Sequence, residues 1–259
     1  MTLLNTASAV RLGSNTVSRV YAGATIVWPT VIPKQVPGLL WWLDASKLVG
    51  ANGAAIASWS DLSGNNHNCG TAGLTPPAIS SAVNGLTVAR FTGSQSMQVA
   101  GLGTEMSGRN QWSVMLMLYP TTYSNYPIVL TSPTTKAWDW VLEYDTNCQF
   151  YVGSQNGHYR CFIPPSPPAV PAWTMYSITA QSSGTRLWLN QSEITNYRPG
   201  GSGDLTFPIP DLGIDAILGA YYDKQFGYGG NVAELLAYDH ALTDTERQKL
   251  ESYLQGKWV

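Results

Sequence analysis

The sequence predicts an all-β chain: a small N-terminal β-hairpin module, then a β-sandwich ending in one C-terminal helix. Three observations predict it. The first is composition. Of 259 residues only 12% are charged, about half of the roughly 25% usual for soluble domains. Gly (25), Pro (16), Trp (10) and Tyr (14) are abundant, and turn formers with aromatics in a low-charge chain favour short strands. The second is rhythm: short apolar runs recur along the chain, each bounded by Gly, Pro, Asn or Ser, as in sandwiches and barrels. The third is that one segment, at the very end, carries helix start signals and a helical apolar stripe.

Taken in order, Val10 to Pro29 is a unit that occurs twice. Val10, Gly13 and Val17 return as Val20, Gly23 and Val27, and each copy reads as strand, glycine-containing turn, strand. Two such hairpins bury too little surface to stand alone. Residues 1–29 are therefore expected to dock on the rest of the chain, on a copy of themselves, or on a larger assembly. Pro29, Pro33 and Pro37 then remove backbone donors and favour extended chain, so Thr30 to Gly38 reads as a linker. From residue 39 to residue 259 the sandwich follows. LLWWLDA, AAIASWS, LTVARF and SMQVA read as strands. WSVMLMLYP is apolar on both faces, which predicts a central strand. WDWVLEY, CQFYVG, TMYSITA, TRLWLN, AILGAYY and VAELLAYD complete the series. Pro164 to Pro171 is a loop. At the end Thr243 and Glu246 form a capping box, and Leu250, Tyr253 and Leu254 make one apolar stripe. Gly256 is placed to stop the helix in a left-handed turn.

Several classes are disfavoured. A net charge of −2 without a basic stripe argues against nucleic acid as a partner. No run approaches the 18 or so apolar residues of a membrane span, and the start lacks the charged and apolar regions of a signal peptide. Cys69, Cys148 and Cys161 are odd in number and fit no zinc spacing. They read as free thiols, with one pair able to bridge in an oxidising medium. No nucleophile elbow, phosphate loop or H-E-x-x-H occurs, and His67, His158 and His240 are scattered.

The stretch from Pro37 to Val259 resembles the laminin G-like, concanavalin A-like lectin/glucanase jelly rolls. LLWWLDAS and ASWSDLSGNNHN are similar to that family's first strand and its W-x-D-x-S-G-N loop. ARFTGSQSMQV is similar to its F-x-G-x-x-x-M/L strand pair. RLWLNQSEI is similar to its hairpin, with Asn190-Gln191 where Asn-Gly is usual. FGYGGNVAELLAYDHALTDTERQKLESYLQGKW is similar to its closing strand and helix. Separately, VRLGSNTVSRVYAGATIVWP resembles a short glycine-centred module at the start of phage virion proteins. The two resemblances imply a non-enzymatic virion protein of the minor tail type. Residues 1–29 would bind other virion proteins and the sandwich would bind host-surface carbohydrate. Linked weak sites gain avidity, so a homo-oligomer, a symmetric trimer, is expected. The alternatives are a structural or capsid-decoration protein that binds no ligand, and a glycoside hydrolase.

Sugar rings stack on Trp and Tyr while Asp and Asn orient the hydroxyls. YYDKQFGYGG is the first candidate, with Tyr221, Tyr222, Asp223 and Tyr228 in or beside a glycine-rich loop. Tyr123, Tyr126, Trp138 and Trp140 come second. For a hydrolase two carboxylates must flank the bond. Glu143 with Asp145 lacks a third acid, and Glu234 with Asp239 falls on opposite faces of a regular strand. For Ca²⁺, Asp61, Asn65 and Asn66 with Asn68 offer oxygens in one loop, as do Asp145 and Asn147. The competing role for all of these is turn hydrogen bonding.

Overall fold

The computed structural model describes residues 10–12, 15–17, 20–22, 25–28, 32–81, 85–121, 130–131, 142–144, 150–155, 158–201, 203–209, 213, 215–220 and 227–259. The opening repeat forms two antiparallel pairs, β1 (Val10–Leu12) with β2 (Asn15–Val17) and β3 (Val20–Ala22) with β4 (Thr25–Trp28). In chain order there follow β5 (Leu39–Asp44), β6 (Ser58–Trp59), β7 (Cys69–Gly70), β8 (Ala78–Ser81), β9 (Thr87–Thr92) and β10 (Met97–Val99). After a one-turn helix α1 (Leu102–Met106) come β11 (Gln111–Pro120), β12 (Leu130–Thr131), β13 (Leu142–Tyr144), β14 (Phe150–Gln155) and β15 (His158–Phe162). The series ends with β16 (Thr174–Gln181), β17 (Gly184–Leu189), β18 (Ser192–Glu193), β19 (Tyr197–Gly201), β20 (Ala216–Leu218), β21 (Gly229–Tyr238) and helix α2 (Asp244–Trp258).

These strands make a jelly-roll-type sandwich. One layer is a large sheet in the order β18-β17-β16-β11-β21-β9-β8, with β5 beside the far half of β21. The other layer holds two smaller sheets, β12-β20-β10-β7-β6 and β13-β14-β15-β19. Aromatic contacts tie the layers together. Phe150 meets Tyr176 edge-on at 5.5 Å, and Phe91 packs so closely on Gly219 that a β-carbon there would lie 2.4 Å from its ring. The apolar strand WSVMLMLYP is central as expected: β11 pairs with β16 on one side and β21 on the other.

Two bulges shape the centre. Along β21 the register against β11 runs Met117 to Glu234, then Leu118 to Val232, so Ala233 faces no partner. At the same point β21 changes neighbour, from β9 to β5. Along β5, Trp41 pairs with Ala237 and Leu39 with Tyr238, which leaves Leu40 extra. Each bulge shifts the two-residue alternation of faces by one.

The segment expected as a linker is instead part of the sandwich from Ile32 onward. Pro33 to Gln35 form a 3-10 turn, and Pro33 and Val36 are buried. The Tyr238 hydroxyl donates to the Pro33 carbonyl at 3.1 Å, and Asp239 N–H donates to the Gly38 carbonyl at 2.9 Å. Pro33 thus sits in a buried turn of the sandwich.

Helix α2 lies on the outer face of the large sheet. Its capping box forms: Thr243 Oγ1 accepts from Glu246 N–H, and Glu246 accepts from Thr243 N–H at 2.9 Å. Leu250 and Leu254 are fully buried, worth about 1.5–3 kcal/mol each. The helix does not stop at Gly256 but continues to Trp258, because Lys257 and Trp258 beyond it have partners in the sheet.

Candidate functional site

The outer face of the large sheet divides into two halves. Under α2 lies a buried charged cluster. Glu234 Oε1 accepts from Trp42 Nε1 at 2.7 Å and from the Tyr253 hydroxyl at 2.8 Å. Its Oε2 accepts from Lys257 Nζ and Trp258 Nε1, both at 2.7 Å. Lys257 also pairs with Asp44 at 2.7 Å, and Asp44 accepts from Ser46 N–H and hydroxyl. Burial pushes the Glu234 carboxyl above its usual range, and the Lys257 ammonium pulls it back. Burial, then the Glu234 charge, drive the Tyr253 phenol far up. Each Glu234 oxygen therefore has two donors and none faces solvent, so this acid fastens the helix and cannot take a sugar bond. A second buried pair, Arg247 with Glu251 at 2.7 Å, lies on the same helix, and the Arg247 guanidinium covers the Trp188 ring at 4.1 Å.

The other half carries a cleft of about 540 Å³, lined by Ser80, Arg90, Phe91, Thr92, Gly93, Thr121, Gly227, Gly229, Gly230 and Asn231. That volume falls within the range of small-molecule sites. Register explains its polar side. Asn231 lies opposite Arg90 on β9 and opposite Tyr119 on β11. Cross-strand partners point to one face, so Arg90, Asn231 and Tyr119 form a row across three strands, spanning roughly 10 Å at ordinary strand spacing. Phe91 and Val232 point the other way, into the core. Tyr119 rests against Trp173, ring centres 5.2 Å apart, and Trp173 in turn against Trp258 at 6.1 Å. Glycine is required at the cleft floor. A β-carbon on Gly227 would lie 2.1 Å from the Gly93 carbonyl oxygen, and Gly230 has φ of +150° with the Tyr119 carbonyl oxygen 2.4 Å from where a β-carbon would be.

Among the sugar-binding candidates read from sequence, Tyr221, Tyr222, Asp223, Tyr123, Tyr126, Trp138 and Trp140 lie outside the described residues. Tyr228 does not serve. It is fully buried, edge-on to Phe91 at 6.1 Å, with its hydroxyl donating to the Asn231 carbonyl at 3.1 Å. The cleft nonetheless adjoins the first-choice loop and one of the second choices in sequence: Gly227 follows residues 221–226, and Thr121 precedes residues 122–129. Sequence reasoning missed Arg90, Asn231 and Tyr119, which no local motif connects.

The cation candidates Asp61, Asn65 and Asn66 have another use. They belong to a loop that closes the free edge of β5. Asp61 Oδ1 accepts from Trp42 N–H at 3.0 Å, and Leu62 N–H donates to the Trp42 carbonyl at 2.8 Å. Ser63 Oγ donates to the Leu40 carbonyl at 3.0 Å, and Asn65 Nδ2 to the Leu39 and Leu40 carbonyls. Asp61 Oδ2 accepts from Ser63 Oγ and His67 N–H. Asn66 sits in the left-handed region at φ 65°. Both Asp61 oxygens are thus spent on turn and edge donors, the arrangement that short polar loops use, which leaves no Ca²⁺ ligand set in this loop, while Asp145 and Asn147 lie outside the described residues. Among the described residues no three His, Cys, Asp or Glu side chains gather as metal ligands. Cys69 is buried, and burial with the nearby Asp61 charge holds its thiol well above the usual range.

No protein-family model and no curated protein sequence matches the chain. Solved structures do. Domain 4 of AbnA, a GH43 extracellular arabinanase from Geobacillus stearothermophilus solved in complex with arabinotriose, is similar over 79% of this chain and 99% of its own. Its identity is 17% and its TM-score 0.52. Trypanosoma rangeli sialidase in complex with sialic acid is similar over 85% of this chain at 13% identity and TM-score 0.56. A botulinum neurotoxin type C structure, described as entering cells through two ganglioside molecules, is similar over 84% at 11% identity and TM-score 0.52. The chain spans about a third of the sialidase (33%) and half of the neurotoxin chain (51%). At these identities the likeness shows a shared β-sandwich fold.

Proposed function

We propose that this is a non-enzymatic carbohydrate-recognition protein that binds sugar in the glycine-floored cleft beside α2. The observation that carries the reading is the cleft itself. It has an amide, hydroxyls and a guanidinium on one sheet face, a tyrosine at the flank, and no carboxylate among the described residues of its lining. Few polar groups on a largely preformed wall are what orients a small ligand. A glycosidase would need two acids about 5–9.5 Å apart astride the bond. The described residues of the cleft offer none, and Glu234 farther along the same strand is already bonded four ways. Neighbours solved with arabinotriose and sialic acid are in keeping with such a role for this fold. Residues 1–29, with their likeness to phage virion modules, would fix the protein to a particle as a tail component, working as a trimer whose linked sites raise avidity. Tyr221, Tyr222, Asp223, Tyr123 and Tyr126, in the segments that continue from the cleft in sequence, would add contacts.

The test is binding of the purified full chain to an array of bacterial and animal glycans, followed by titration of the best ligand against an Asn231→Ala variant. Saturable binding that the substitution weakens supports the reading. A flat array refutes it and leaves a structural or decoration role.

A further inference from the structure

We infer that the sugar taken by this cleft is acidic, with Arg90 gripping a carboxylate; this rests on the carbohydrate reading above. Arg90 is exposed on the outer face of β9, between Ala78 on β8 and Asn231 on β21. Its guanidinium has no ion pair among the described residues. The other arginines with ion pairs show how unusual that is: Arg109 pairs with Glu105, Arg160 with Asp204, Arg186 with Glu193 and Arg247 with Glu251. In a chain with 16 acids and 14 bases, an arginine without an acid partner stands out. Acids on the same face do not supply the missing charge. Glu234 and Asp44 are held by Lys257 under the helix, and among the described residues of the cleft lining Arg90 is the one that carries a charge.

A guanidinium presents a planar fork of donors that matches a carboxylate in two parallel hydrogen bonds, which an ammonium cannot reproduce. Asn231 directly across the strand gap, and Ser80 on the neighbouring strand, supply amide and hydroxyl partners for ring hydroxyls. Glycines at positions 227, 229 and 230 let a ring approach the sheet without meeting side chains. A uronic acid or sialic acid residue, each a pyranose with one carboxylate, fits this combination.

The experiment compares matched ligands on the full chain. Oligogalacturonate and its methyl ester differ in charge and in one methyl group per residue, and sialyllactose and lactose differ by the acidic residue. Wild type, Arg90→Lys and Arg90→Gln are titrated with each at low and high salt. At least one acidic ligand is expected to bind about tenfold or more tightly than its neutral match, because a charge-assisted bidentate contact is lost. Added salt should weaken the acidic ligand alone. Arg90→Gln should erase the preference, and Arg90→Lys should restore only part of it. Which acid binds tells uronic from sialic. Because Arg90 is exposed, the variants should melt with wild type. Neutral and acidic ligands binding alike, with Arg90→Gln unchanged, overturns the acidic assignment while leaving carbohydrate binding intact. Failure of every sugar to bind sinks both.

Discussion

Replacing Glu234 by alanine should be among the most destabilising single changes in the sandwich. The carboxylate is fully buried and accepts four hydrogen bonds, all at 2.7–2.8 Å. Its loss removes the acceptor shared by the Trp42 and Trp258 indoles and the Tyr253 hydroxyl, while Lys257 keeps Asp44 at 2.7 Å. Bonds to a charged group are worth about 1.5–3 kcal/mol each. They share one anion and do not add, and breaking a buried pair from one side costs about 3–5 kcal/mol. In a chain of this size that corresponds to a fall in melting temperature of roughly 10–15 °C. Thermal and urea denaturation of wild type, Glu234→Ala, Lys257→Met and the double variant measure it. The double variant should lose at least about 1 kcal/mol less than the two singles summed, since either change alone already breaks the pair. The outcome also bears on chemistry, because replacing a catalytic carboxylate typically leaves stability unchanged or raises it. A Glu234→Ala protein melting within about 2 °C of wild type would refute the fastening role.

Other expectations follow from named contacts. Glu246 has its carboxyl held below the usual range, first by the Thr243 hydroxyl and then by the Thr243 backbone. Its stabilisation is therefore present above the unfolded value and lost as pH falls through the folded one. The advantage of wild type over Glu246→Gln, about 0.5–1 kcal/mol near neutrality, should hold down to the unfolded carboxylate value of about 4.3 and decline only below it in urea titrations. Cys69 should resist alkylation at pH 8 until the protein unfolds, as read by mass spectrometry of its peptide, since the thiolate is the reactive form. Gln191→Gly should raise stability by about 0.5–1 kcal/mol, because Asn190 and Gln191 both have positive φ, 47° and 72°, in a tight hairpin that prefers glycine second. A chain starting at Ile32 should melt like the full sandwich, whereas one starting at Leu39 should lose about 1.5–3 kcal/mol for Val36 alone.

Much of the fold was legible because its signals are local. The central place of β11 followed from apolar residues on both faces, and the capping box at Thr243 from two residues three apart. What failed depended on partners far along the chain. Pro33 and Val36 look like linker residues until Tyr238, 205 positions later, closes over them. Gly256 looks like a helix stop until Glu234 supplies acceptors for the two residues beyond it. Asp61 and Asn65 illustrate a deeper ambiguity: the same oxygens and amides that ligate a cation also pair a strand edge. Only the position of β5, with one side unpaired by any strand among the described residues, selects the second use. The cleft gave the weakest signal of all, a single arginine in the otherwise uncharged run LTVARF.

The bulge at Ala233 is what allows one strand to serve both halves of the outer face. In a regular strand, residues 231 and 234 point to opposite sides. With Glu234 outward under the helix, Asn231 would then be turned into the core, where an amide needs partners that Val232 and Phe91 do not offer. One extra residue reverses the phase, so Glu234 reaches Trp42, Tyr253, Lys257 and Trp258 while Asn231 stays in line with Arg90 and Tyr119. The neighbour exchange from β9 to β5 falls at the same residue, which places the open cleft and the helix-covered cluster side by side on one continuous strand. Removing Ala233 would force a choice between them: either the helix loses its anchor or the cleft loses its amide.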